Sequence, residues 1–260
     1  VDVIGRFAEL MTLGRPPLDL ALALIAAAGR PSVDPDDLVG ELDDLAERVQ
    51  GRDAGGICAE LFDPGGALRF SGDREHYHDP RNSWLDAVLE RRQGIPITLS
   101  VIAIEVARRR GVELEGIGMP GHFLVGDRTT GRLFDAFDGG RSIGADGARS
   151  LFESLHGPGQ PFEPTYLASS PPAAIVVRVL NNLRNAHLRL GDRSGLASTL
   201  RLQSALPGAP PAVRAELAAV LAVDGRFLDA AALHEALAVD DPAAAEEHRR
   251  AATRLRARLN

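Results

Sequence analysis

The stretch PITLSVIAIEVARRRG, residues 96–111, constrains this chain more than any other. From Pro96 it is almost wholly apolar until Arg108, and Gly111 then stops it. Proline is tolerated at the first helical position, where the missing N–H has no intrahelical partner anyway. A helix that is apolar all round cannot face water on any side. The segment therefore predicts a central buried helix over about 96–110, and the rest of the chain must supply the elements that surround it. With 260 residues, 45% of them hydrophobic, there is enough chain to do so.

The N-terminal third reads as helical. DVIGRFAELMTL and LDLALALIAAAG carry helical apolar spacing and are separated by the breaker GRPP. In SVDPDDLVGELDDLAERVQ, Asp34 is placed to cap a helix and Pro35 to start it. Leu38, Leu42, Leu45 and Val49 form its apolar stripe, and the acidic residues between them read as a solvated face. Further on, Asn82 or Ser83 is placed to cap a helix running from Trp84 to Arg92 and ending at Gly94.

After the central helix the pattern turns to strands: VELEGIG, HFLVG and RLFDAF, the last two separated by the turn-length DRTT. If Gly126 faces Gly131 across a hairpin, Leu124 faces Leu133 and His122 faces Asp135. Directly opposite residues share a face with Cβ atoms about 5 Å apart, so an imidazole and a carboxylate would meet there. A histidine held by a carboxylate is two thirds of a nucleophilic triad; the plain alternative is a structural pair at a polar strand end. The order of an upstream helix, then His, then Asp is the one found in papain-like and transglutaminase-like folds.

Residues 141–172 are rich in Gly, Pro and Ser and end in SSPPAA, which reads as a linker. Beyond it the chain is helical and repeats: Leu183 and Leu217, Gly191 and Gly225, Ala197 and Ala231, and Leu221 and Leu255 are each 34 residues apart. That period predicts helix pairs over about 175–206 and 209–240 and a last helix over 243–258, a tetratricopeptide-like tail. So short an array cannot easily stand alone and is expected to pack on what precedes it.

The run YHDPRNSWLDAVLERRQGIPITLSVIAIEVARRRGVELEGIGMPGHFLV, with LFDAFDGG after it, closely resembles the bacterial SirB-type family. The resemblance implies an α+β chain: a helical N-terminal region and a transglutaminase/papain-like core with a small antiparallel sheet over residues 1–170, then an all-α tetratricopeptide-like tail over 171–260. It also aligns His122 and Asp135 with the transglutaminase His and Asp. The Gly-x-Cys that opens the nucleophile helix in active relatives reads GIP here, so Pro96 falls at or next to the cysteine position. The family's usual Asp-Pro-Phe strand reads Asp-Ala-Phe, which leaves Asp135 in place.

The resemblance thus implies a degenerate site lacking its nucleophile. We expect it to serve as a protein- or peptide-binding or regulatory module, its cleft lined by Asn82, Trp84, Arg92, Thr98 and Ser100 beside His122 and Asp135. The alternative is a peptidase or amidase that recruits Thr98, Ser100 or Cys58 to the same pair. A hydroxyl needs a well-aligned base and oxyanion donors to serve, and both hydroxyls are expected to bond back to the helix backbone instead. Cys58 follows a glycine pair in GGICAELF, but its neighbours Ile57, Leu61 and Phe62 make it read as a small buried hydrophobe.

Other chemistry is weaker. A net charge of −7 argues against a nucleic-acid footprint. HYHD at 76–79 lacks the further ligands of a metal site, GDRTTG lacks the lysine and helix of a phosphate loop, and no cofactor is expected. The basic ends ERR (90–92) and RRR (108–110) suit helix C-termini. All 29 basic residues are arginine, so the chain has no lysine amine to offer as an acyl acceptor. LALALIAAAG follows an aspartate without a basic region and is too short to span a bilayer. With a lone cysteine, the expectation is a cytoplasmic protein with no membrane partner.

Overall fold

A computed structural model describes residues 2–259. The chain opens with four helices, α1 (Val3–Met11), α2 (Leu18–Gly29), α3 (Pro35–Arg48) and α4 (Ala54–Phe62). Asp34 caps α3 with Pro35 behind it, and Asp53 caps α4 by accepting from the Gly56 N–H. The stretch LALALIAAAG lies in α2, with Ala21 to Ala26 buried to 1% exposure or less. Among the described residues no helix is long and apolar enough to cross a membrane.

Next come β1 (Ser71–Gly72), α5 (Leu85–Arg91) and β2 (Gln93–Gly94), where β1 and β2 make a short parallel pair. Helix α5 is not capped by Asn82 or Ser83: its N-cap is Trp84, with no side-chain bond, because the Asn82 amide is committed elsewhere. The central helix α6 (Pro96–Arg109) is buried from Pro96 to Ala107 without a break. Its one acid in that run, Glu105, is compensated by Arg108 and Arg109, which also hold Asp19 of α2. Burial, with the nearby Asp19 charge, pushes the Glu105 carboxyl up; Asp19 is itself pushed up by burial but held lower on balance by the Leu20 N–H and Arg109.

An antiparallel sheet follows in the order β3 (Leu114–Ile117), β4 (Leu124–Asp127), β5 (Leu133–Asp135) and β6 (Arg141–Ile143). The hairpin register differs from the sequence expectation by two residues: Gly126 pairs with Leu133 and Val125 with Phe134. The turn is wider because the Asp127 carboxylate accepts from the Thr129 N–H and the Thr130 hydroxyl, and the Gly131 N–H closes on the Asp127 carbonyl. His122 also precedes β4 rather than opening it. The stretch read as linker is partly structured: it holds β6 and α7 (Ala145–His156), which buries Ala148 and Phe152. Even its Ser-Pro end is pinned to β3, with the Ser170 N–H donating to the Gly116 carbonyl.

The tail is helical: α8 (Pro172–Leu190), α9 (Arg193–Ser204), α10 (Pro211–Val223), α11 (Phe227–Asp240) and α12 (Ala245–Arg256). Its first helix is not peripheral. Ile175, Val176, Val179, Leu180 and Leu183 of α8 join the core built around α6, together with Phe7, Leu22, Ile57 and Phe134. The later helices share a separate cluster of Leu196, Leu200, Leu217 and Leu221. The packing of α8 puts tail residues beside the loop that carries His122.

Candidate functional site

His122 sits in the connection between β3 and β4, a tight bend in which its own N–H donates to the Met119 carbonyl. Gly121 provides the positive φ of 75° that this bend requires. The bend is held from outside by Arg178 of α8, whose Nη2 donates to the carbonyls of Met119 at 3.0 Å and His122 at 2.7 Å. The imidazole Nε2 lies 3.0 Å from Asp135 Oδ1, and Asp135 is 1% exposed at the end of β5. Oδ1 also accepts from the Phe137 N–H, and the Phe137 ring stands edge-on to the imidazole at 6.0 Å.

The turn behind Asp135 is tight for a reason. The N–H groups of Asp138 and Gly140 both donate to the Asp135 carbonyl, and Gly140 packs so close to α4 that a Cβ would lie 2.6 Å from the Cys58 carbonyl. With the neutral ring donating Nε2–H to the carboxylate, Nδ1 is the lone-pair atom. Nδ1 has no hydrogen-bond partner among the described residues.

Pro96 lies at the start of α6, and it lines the same cavity as His122, about 190 Å³ in volume. A second, larger cleft of about 690 Å³ adjoins it, sharing Tyr77, Gly121 and His122 and continuing past Asp135, Phe137 and Leu151. Thus the helix start, the histidine and the carboxylate share one site, and the residue at the helix start has no nucleophilic atom.

The remaining residues singled out from the sequence do not gather there. Thr98 and Ser100 are 0% exposed on α6, and neither hydroxyl bonds back to the backbone: both lack a partner among the described residues. Cys58 is sealed in the core, and burial pushes its thiol up to about 12, far from the thiolate a nucleophile needs. Trp84 packs against His187, their ring centroids 5.7 Å apart, with Arg30 over its ring. Arg92 ends α5 in a left-handed conformation and donates to the Ala67 carbonyl, in a separate depression with Glu41 and Asp44.

Asn82 is 0% exposed and acts as a brace, donating to the His76 carbonyl and Asp73 and accepting from Arg91. Arg91 also pairs with Asp73, whose carboxyl burial would push up but which the His76 N–H, Asn82 and Arg91 hold low. This network fixes the loop that carries Tyr77 into the cleft. Among the described residues no group of three or more His, Cys, Asp or Glu side chains could hold a metal, so HYHD does not assemble one. Sequence reading missed Tyr77, Arg178 and Asn182 at the cavity; the first is inside a motif it quoted, whereas the other two lie on α8 and carry no local signal.

Comparison with known proteins places this arrangement. The family model described as Transglutaminase-like superfamily matches residues 36–181, from α3 into α8. The chain belongs to the Transglutaminase-like superfamily. The superfamily match spans Pro96, His122, Asp135 and Arg178, so the cleft and its α8 wall both fall inside it. A UPF0162 protein from Xylella fastidiosa is 38% identical over 154 residues, 56% of this chain and 54% of the relative, so the chain matches about half that relative's length. A UPF0162 protein from Pseudomonas aeruginosa is 32% identical over 186 residues, covering 68% of this chain and 67% of the relative. Mouse F-box only protein 21 is 41% identical over 73 residues, 27% of this chain and 12% of its own length. No solved structure matches the chain.

Proposed function

We propose that this chain is a SirB-type, non-catalytic transglutaminase-like protein that binds a protein or peptide in the cleft beside His122, with a tetratricopeptide-like helical tail. One observation carries the reading: His122 and Asp135 meet at 3.0 Å on a cavity whose helix-start position is occupied by Pro96. A site so built keeps the shape that receives an extended chain beside the base but has no atom to form an acyl intermediate. The burial of Thr98, Ser100 and Cys58 speaks against a substitute nucleophile. The tail reading rests on the 34-residue spacing that separates the starts of α9 and α11 as well as the repeated leucines.

The test is to select binders from a random peptide library on the full chain and repeat the measurement with His122→Ala. Selected peptides should be recovered uncleaved, and the variant should bind them about tenfold more weakly with unchanged thermal unfolding, as expected for a residue at the centre of a contact. Equal binding by the folded variant, or His122-dependent cleavage of the peptides, would contradict the proposal.

A further inference from the structure

We infer that the small cavity between Pro96 and His122 is a carboxylate subsite, with Arg178 of α8 as the charge that receives the anion. The inference rests on the peptide-cleft reading and names the end of the ligand that the small cavity takes. Arg178 is half-buried, and among the described residues no carboxylate pairs with it. Its Nη2 is used on the Met119 and His122 carbonyls, but Nε and Nη1 make no hydrogen bond to the described residues. A guanidinium taken partly out of water without a counter-ion is costly, and a ligand anion would offset that cost. Burial pushes its pKa down, and Tyr77 supplies the opposing influence.

The rest of the cavity wall has the same bias. Asn182 and Tyr77 both line it, and neither side chain makes a hydrogen bond with the described residues. Pro96 and Ile97 bring the first turn of α6 to the wall, and its N-cap residue Ile95 supplies no side-chain cap. That end of a helix carries partial positive charge and favours an anion. No Asp or Glu lines the cavity.

One guanidinium balances one negative charge, and a volume of about 190 Å³ holds a carboxylate on a short stem. A phosphate monoester brings close to two charges, and Arg178 is the one guanidinium among the described residues of the wall. The adjoining cleft of about 690 Å³ shares Tyr77 and His122 with the small cavity, so a peptide lying in the cleft can place its terminal carboxylate against Arg178.

The experiment is a nuclear magnetic resonance titration of the full chain, following the Arg178 Nε–H and the cleft residues Phe137 and Leu151. The probes are N-acetyl-Ala-Ala as free acid, the same dipeptide as its amide, N-acetylglutamate with its α-carboxyl amidated, and inorganic phosphate. The free acid should shift Arg178 and the cleft together, while the amide should bind about tenfold more weakly or more, the loss of a charge-assisted pair. Asn182→Asp sets a carboxylate in the cavity without removing any hydrogen bond of the fold, and should weaken the free acid by a similar factor. If the glutamate probe shifts Arg178 as strongly as the free acid, the carboxylate comes from a side chain as readily as from a chain end, and the subsite stands. If acid and amide shift Phe137 and Leu151 alike and Arg178 not at all, the cleft reading survives and the subsite does not. If phosphate outcompetes the free acid the carboxylate assignment is overturned, and if no probe shifts either region both readings fall.

Discussion

Among the described residues two histidines hydrogen-bond an aspartate through a ring nitrogen, and the two pairs differ in everything but their distance. His122 Nε2 lies 3.0 Å from Asp135 Oδ1, and His187 Nδ1 lies 2.8 Å from Asp192 Oδ2. In the second pair the aspartate is a helix cap: its other oxygen accepts from the Gly195 N–H at the start of α9, and its side chain is 43% exposed. The histidine ends α8 and is wedged beside Trp84, so the pair locks the α8–α9 turn. In the first pair the aspartate is sealed as well as the histidine, and the ring lines a cavity with Pro96 and Arg178. An imidazole next to a carboxylate is therefore no sign of chemistry. What matters is which partner is buried and what the free side of the ring faces.

The tail pair can be broken outright. A Cβ on Gly195 would stand 2.1 Å from His187 Cε1 and 2.5 Å from Asp192 Oδ2, so Gly195→Ala should cost about 3 kcal/mol in denaturant unfolding by overpacking and loss of the pair. A near-neutral result would mean that the pair does not lock the turn. A subtler change uses pH. Burial pushes the His187 pKa below its ordinary 6.5 even though Asp192 opposes this. The unfolded chain then takes the proton first, so the stability contributed by His187 is present above 6.5 and lost as pH falls below it. His234 is shifted in the same direction by burial, so the comparison is with His187→Gln, whose stability should fall less steeply between neutral pH and pH 5. An unchanged slope would remove His187 from the account.

The smallest expected effect lies nearest the cleft pair. Thr98 Oγ1 is buried without a partner among the described residues, so Thr98→Val should leave stability unchanged or raise it by about 1 kcal/mol, and peptide binding should not change. Loss of a His122-dependent hydrolysis in that variant would instead make Thr98 the missing third group of the cleft pair.

How much of this was legible in the sequence follows a physical division. The apolar run at 96–107 could only be a central helix, and α6 is buried along that whole run. The hairpin register was read two residues short, because the Asp127 carboxylate widens the turn in a way apolar alternation does not record. Since two is the side-chain period of a strand, the error kept His122 and Asp135 on one face, and they meet diagonally. A slip of one would have separated them. Helix α7 was hidden by the glycines around it, although Ala148 and Phe152 are spaced as a buried helical pair. Asn82 resembled a cap by position, yet its amide serves Asp73 and the His76 carbonyl, which only the folded loop brings near. Arg178 could not be found at all from local pattern: it reaches His122 from 56 residues away.

The central claim is that Pro96 stands where a nucleophile would complete the His122–Asp135 pair. Alkylation of native protein by iodoacetamide at pH 7, with and without Pro96→Cys, tests it directly. The parent chain should be inert until unfolded, because Cys58 is 0% exposed and its thiol is pushed up to about 12. Pro96→Cys should label readily in the folded state, since a thiol at a helix start beside an imidazole is held as thiolate, and His122→Ala in that background should slow the labelling by about tenfold or more. A folded Pro96→Cys chain that does not label, or that labels equally fast without His122, would contradict the account.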